Sequence, residues 1–192
     1  MTDYGILTGI VDEIGLVIGA GSAVVFAVKG RARWEPSEED VPNGPIKVAS
    51  IITGIGVGAL YAISINEYDY SFFFGTMIFA SVALFIGLMA YTILITVYTF
   101  DKQVPVSENE TRTIKVIGGF WLTQDAKEKL QNNFPTTQKL FHSSAYDMDM
   151  IWPRVSRGLT KIAFLIAYFS MIFGGGFGVA STAIILNGAP QG

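Results

Sequence analysis

Two adjacent carboxylates, Asp12 and Glu13, stand in the first apolar run of this 192-residue chain. Charged groups at membrane depth are costly, and they usually face a water-filled path or a protein interior. The chemistry they offer is cation selectivity or proton relay. Neighbouring helical residues point about 100° apart, so both cannot face one path equally. The competing reading sets them at the outer headgroup level, with residues 4–11 along the surface. Asp12 and Glu13 are therefore the candidates for a pore or ion path.

A second constellation is cationic. Arg154, Arg157 and Lys161 follow an i, i+3, i+7 spacing that puts them on one helix face. Arginine offers a planar fork suited to phosphate, which makes this an anion or lipid-headgroup site. The simpler reading is a basic anchor at the cytoplasmic end of a span. Asp147 and Asp149 are near enough in sequence to pair with these arginines.

Other chemistry has little to stand on. Asp147-x-Asp149 lacks the glycine and distal glutamate of a calcium loop. His142 is the single histidine and there is no cysteine, so zinc, haem and thiol chemistry have no ligand set. Ser143-Ser144 beside His142 carries no nucleophile elbow. Neither a phosphate-binding loop nor a dinucleotide fingerprint occurs. The sequence thus predicts no enzyme, no catalytic residue, no metal and no cofactor.

Small residues form a third pattern. Gly15 with Gly19 and Gly54 with Gly58 make GxxxG pairs, and Gly174, Gly175, Gly176 and Gly178 interrupt the last apolar run. Such glycines let helices approach closely. The triple glycine could instead hinge or break its helix and expose carbonyls.

These residues need helices in a bilayer to position them. Only 15% of the chain is charged, against about 25% in soluble domains. The net charge of −3 is too mild to imply nucleic acid as a partner. A cleaved signal peptide is not expected, because Met-Thr-Asp-Tyr lacks a basic leader. Four apolar stretches stand out: about Tyr4 or Ile14 to Val28, Val48 to Ile65, Ser71 to Phe100, and Ile162 to Leu186. A spanning helix needs roughly 20 apolar residues.

All 13 Lys and Arg residues fall in two windows, 29–47 and 102–161. The turn at 66–70 is acidic, with Glu67 and Asp69. Basic loops stay in the cytoplasm, so both basic segments are predicted inside and both termini outside. The sequon at Asn109 then lies on the cytoplasmic side.

Within the larger basic segment, Thr111 to Ile117 alternates as a short strand. Thr123 can cap a helix from Gln124 to Asn133, and Thr136 or Thr137 a second one through about Ala145. Pro153 suits the first turn of a helix that runs into the last span. Phe120, Trp121, Leu130, Phe134, Leu140, Phe141, Tyr146, Ile151 and Trp152 are the expected core.

The expected fold is an all-α integral membrane protein of four transmembrane helices, with a small, mainly helical cytoplasmic segment between helices 3 and 4. The divisions are 1–100, three spans with the basic loop 29–47; 101–158, the cytoplasmic segment; and 159–192, the last span and a short outer C-terminus. The expected function is a homo-oligomeric channel or pore gated through the cytoplasmic segment. The alternative is a structural or accessory subunit of a larger membrane or envelope assembly, docking through Phe72, Phe73 and Phe74. The expected partners are membrane lipids, further copies of the chain and other membrane subunits.

Overall fold

The computed structural model describes residues 43–107 and 110–188; the first apolar stretch lies outside them. Three described helices are long and apolar enough to cross a membrane: α1 (Asn43–Asn66), α2 (Tyr70–Val97) and α6 (Arg154–Gly188). Between the last two lie strands β1 (Thr99–Ser107) and β2 (Glu110–Ile117) and short helices α3 (Gln124–Asn132), α4 (Thr137–Ser143) and α5 (Met148–Ile151). The chain is an integral membrane protein, mainly helical rather than all-α.

Its residues form two compact units, 44–89 with 167–188, and 90–166. In the first, three helices pack through small residues. Val57 clusters with Ala180, and Leu60 with Phe73 and Ile184. Numbers rise together on α1 and α6, so these two run parallel. Ala80 of α2 meets Gly178 of α6, Leu84 meets Gly174, and Gly87 meets Met171 and Ala167, so numbers fall on one helix as they rise on the other and this pair is antiparallel. Asp69 starts α2 by accepting hydrogen bonds from the amides of Ser71 (2.9 Å) and Phe72 (3.4 Å). Polar side chains inside the helices turn back on the backbone: buried Thr53 donates to the Ala49 carbonyl at 2.8 Å.

The opposite sides of these helices are apolar and exposed, including Ile51 and Ile55 on α1 and Phe79, Phe85 and Ile86 on α2. In water so large an apolar surface would be unfavourable; against lipid tails it is matched.

In the second unit a two-stranded antiparallel hairpin pairs Thr99 with Ile117 through Val104 with Arg112, and its register shifts between Pro105 and Ser107. Alternation divides its faces. Phe100, Ile114 and Val116 turn toward a core built on Leu140, Phe141, Ile151 and Trp152, while Asp101 and Lys115 pair on the other face at 3.1 Å. The hairpin corrects the all-α expectation. It also takes Thr99 and Phe100 from the third apolar stretch, because α2 ends at Val97. Phe120 and Trp121, expected in the core, are 38% and 43% exposed. Gly118 and Gly119 are themselves buried, against Phe100, Trp152 and Ser156, and the chain beyond them carries both rings outward.

Candidate functional site

Gly118 to Trp121 forms a loop that docks on the start of α6. Ser156 is fully buried. Its hydroxyl accepts from the Trp121 amide at 2.9 Å and donates to the Trp121 carbonyl at 3.1 Å. One side chain thus satisfies both backbone groups of a loop residue that lies outside any helix or strand. One turn on, buried Thr160 donates to the Ser156 carbonyl at 3.0 Å.

Glycine is required on the loop side of this contact. A Cβ at Gly119 would collide with the Ser156 side chain and lie 3.0 Å from Cβ of Trp152. At Gly118 it would lie 2.5 Å from the Phe100 ring. The loop is fastened elsewhere too: the Gly118 amide donates to the Tyr98 carbonyl at 2.9 Å, and the Thr123 amide to Ile151 at 2.9 Å. Phe120 stacks edge-on against Tyr98 with centroids 4.8 Å apart. The loop between hairpin and α3 is therefore tied to the end of α2 and to the start of α6.

Replacing Ser156 with alanine should cost about 1–3 kcal/mol, since both Trp121 backbone groups lose their partner. Denaturant unfolding in detergent checks this. Replacement by threonine should retain much of the loss-free state only if its methyl clears Gly119, so it is the stricter probe of the fit.

The basic triplet lies on the first turns of α6. Asp149 pairs with both arginines: Arg157 Nη2 binds its Oδ1, and Arg154 Nε lies 3.6 Å from the same atom. Arg157 is only 20% exposed and also donates to the Met148 sulfur at 3.4 Å, whereas Arg154 is 86% exposed. Arg157 is thus committed to its own chain, and Arg154 keeps the open side of its guanidinium toward solvent. Lys161 lies one turn further along. Asp147 accepts from the Asp149 amide at 2.9 Å and caps α5.

His142 is held on both ring nitrogens. The Gln138 amide pairs with both backbone groups of Asp101, accepting from its N–H at 3.1 Å and donating to its carbonyl at 2.8 Å. That pairing fixes the amide orientation, so its NH2 faces His142 Nε2 at 2.7 Å. Nε2 must accept, and Nδ1 then carries the hydrogen that meets the Tyr146 hydroxyl at 2.8 Å. Neither nitrogen is open to a metal, and the described residues contain no group of metal-binding side chains.

The glycines of α6 sit inside an unbroken helix, which rules against a break at the triple glycine. Gly174 faces α2 so closely that a Cβ would lie 2.5 Å from the Leu84 nitrogen. Gly176 faces Thr53 of α1, while Gly175 has nothing within 4 Å. Gly54 and Gly58 are half-buried on α1. Gly56 between them receives the Phe177 ring, 2.5 Å from where its Cβ would be. Pattern reading missed Gly56 because it has no glycine partner four residues away; its signal is the aromatic on another helix. Asp12, Glu13, Gly15 and Gly19 lie outside the described residues.

Comparison with protein-family models, with curated proteins and with solved structures finds no match for this chain.

Proposed function

We propose that this chain is a non-enzymatic channel or pore, assembled from several copies and gated through the segment between its last two spans. The first apolar stretch supplies a fourth span, with Asp12 and Glu13 at the outer mouth. Both basic segments are cytoplasmic and both termini lie outside. No resident cofactor takes part.

One observation carries this reading. α6 runs without interruption from Arg154 to Gly188, and its first turns are fastened to the loop after β2 through Ser156. A rearrangement of the hairpin reaches a membrane helix through a short, satisfied hydrogen-bond pair rather than through a slack linker. Gating by a bistable element needs such a connection.

Purified protein in sealed liposomes should pass small cations. Asp12→Asn should lower cation preference, and Ser156→Ala should change open probability while leaving ion preference unaltered. Liposomes that stay tight with correctly inserted protein overturn the channel reading.

A further inference from the structure

The Gln138 amide and the His142 ring cannot both keep their present bonds once the ring is charged. The amide spans Asp101 on the free edge of β1, accepting from its N–H at 3.1 Å and donating to its carbonyl at 2.8 Å. Its second N–H meets His142 Nε2 at 2.7 Å. Nε2 can accept it only while it carries no proton, whereas an imidazolium has a donor on each nitrogen. A charged ring would set Nε2–H against the amide NH2, donor against donor. His142 is exposed, so water can deliver that proton, and histidine is the side chain whose charge changes between about pH 5 and 8.

The ring is the fixed partner in this conflict. Its Nδ1–H meets the Tyr146 hydroxyl at 2.8 Å, and that bond survives because Nδ1 is a donor in both forms. The two rings also meet edge-on, with centroids 4.9 Å apart. Tyr146 is itself constrained. It has φ 63° and follows Ala145 at φ 54°, a left-handed pair that persists only where the surroundings impose it. Its amide donates to the Phe141 carbonyl at 3.1 Å, and its ring packs edge-on against fully buried Phe141. Turning the Gln138 amide over gives the charged Nε2–H an oxygen, in a charge-assisted bond stronger than a neutral one. The same turn sets NH2 against the Asp101 N–H and oxygen against the Asp101 carbonyl, so both bonds to β1 are lost.

Among the described residues no ion pair neutralises the added charge. β1 brings Asp101 and Lys102, and the Asp101 carboxylate is paired with Lys115 at 3.1 Å. α4 itself brings Lys139. The turn brings Asp147, which caps α5, and α5 brings Asp149, which Arg154 and Arg157 occupy. α3 meets the shared core through Ala126 and Leu130. We propose that Gln138 and His142 form a proton-operated latch on the hairpin: the amide holds Asp101 while the ring is neutral, and releases it when Nε2 takes a proton. The latch is closed at neutral pH and opens as pH falls. Opening frees the edge of β1 from α4 and leaves the ladder between β1 and β2 intact. It gives the segment between α2 and α6 a response to acid that does not depend on whether the chain conducts.

His142 is the chain's single histidine, so isotope labelling of histidine nitrogen gives one ring signal set from the full-length protein in detergent. At about pH 7.5 the ring proton should sit on Nδ1. Lowering the pH to about 5.5 should speed Asp101 amide exchange about fivefold after correction for the intrinsic rate, the scale of one lost hydrogen bond. The Gly118 amide, bonded to the Tyr98 carbonyl at 2.9 Å, should keep its protection. His142→Leu should leave Asp101 protected at both pH values, and Gln138→Leu should expose it at both. A ring proton on Nε2 at neutral pH, an Asp101 amide indifferent to acid, an acid response that survives in His142→Leu, or loss of protection at Gly118 together with Asp101 overturns the latch.

Discussion

Gly174→Ala should destabilise the three-helix unit by about 3 kcal/mol, at the upper end for overpacking. The added methyl would lie 2.5 Å from the Leu84 nitrogen, 2.6 Å from the Ala80 carbonyl oxygen and 2.8 Å from Leu84 Cα. All three atoms are backbone, so no rotamer change can relieve the contact and one helix must move away from the other. Close approach is the main source of attraction between helices in lipid, where the hydrophobic effect does not drive association. Separation therefore forfeits packing along the whole contact. Gly75→Ala is the control, because that position is exposed and open. It should be neutral or gain up to about 1 kcal/mol from reduced backbone entropy. Denaturant titration in detergent, followed by helical circular dichroism, separates the two. Equal midpoints for both variants would mean that the glycine contact does not hold α2 to α6.

Trp152→Ala should cost about 3–5 kcal/mol, the range for removing a large buried aromatic. Trp152 is 1% exposed and packs at a tilt against the rings of Phe100 and Phe141, with centroids 4.6 Å and 5.4 Å away. It joins the hairpin to the short helices. A unit of this size holds only a few kcal/mol of net stability, so the loss should melt it. Amide hydrogen exchange should show protection vanishing across β1, β2, α3 and α4 while 44–89 stays protected. Trp121→Ala is the contrast. Its ring is 43% exposed, and its backbone bonds to Ser156 survive the truncation, so its cost should stay below about 1 kcal/mol. A Trp152 variant with unchanged exchange would refute this core.

The two predictions also mark what the sequence made legible. Apolar length located the three spans among the described residues, since lipid demands long uncharged helices. Pro153, suited to a first turn, marked where the last helix starts: it begins at Arg154, ahead of the apolar run at Ile162, because Arg154, Arg157 and Lys161 are good helix formers without being apolar. The small core was readable in part. Leu140, Phe141, Ile151 and Trp152 are buried, but Phe120 and Trp121 are not, because aromatic character does not tell which way a loop turns. β1 was hidden by Asp101-Lys102-Gln103 and Pro105, whose types disfavour strands; pairing with β2 and the Gln138 amide on its free edge override that preference. Of the glycines, the triplet was visible and its continuity was not, since a packed neighbour offsets the helical cost of glycine. The seating of Ser156 under Trp121 had no local signal, because its two partners stand 35 residues apart.

Ser156 also sets the mechanics of α6. Because that one hydroxyl both accepts from and donates to the same loop residue, it holds the first turns of α6 against sliding and against turning at once. The loop and those turns must therefore move as one piece, and either can shift alone only after both hydrogen bonds are broken together.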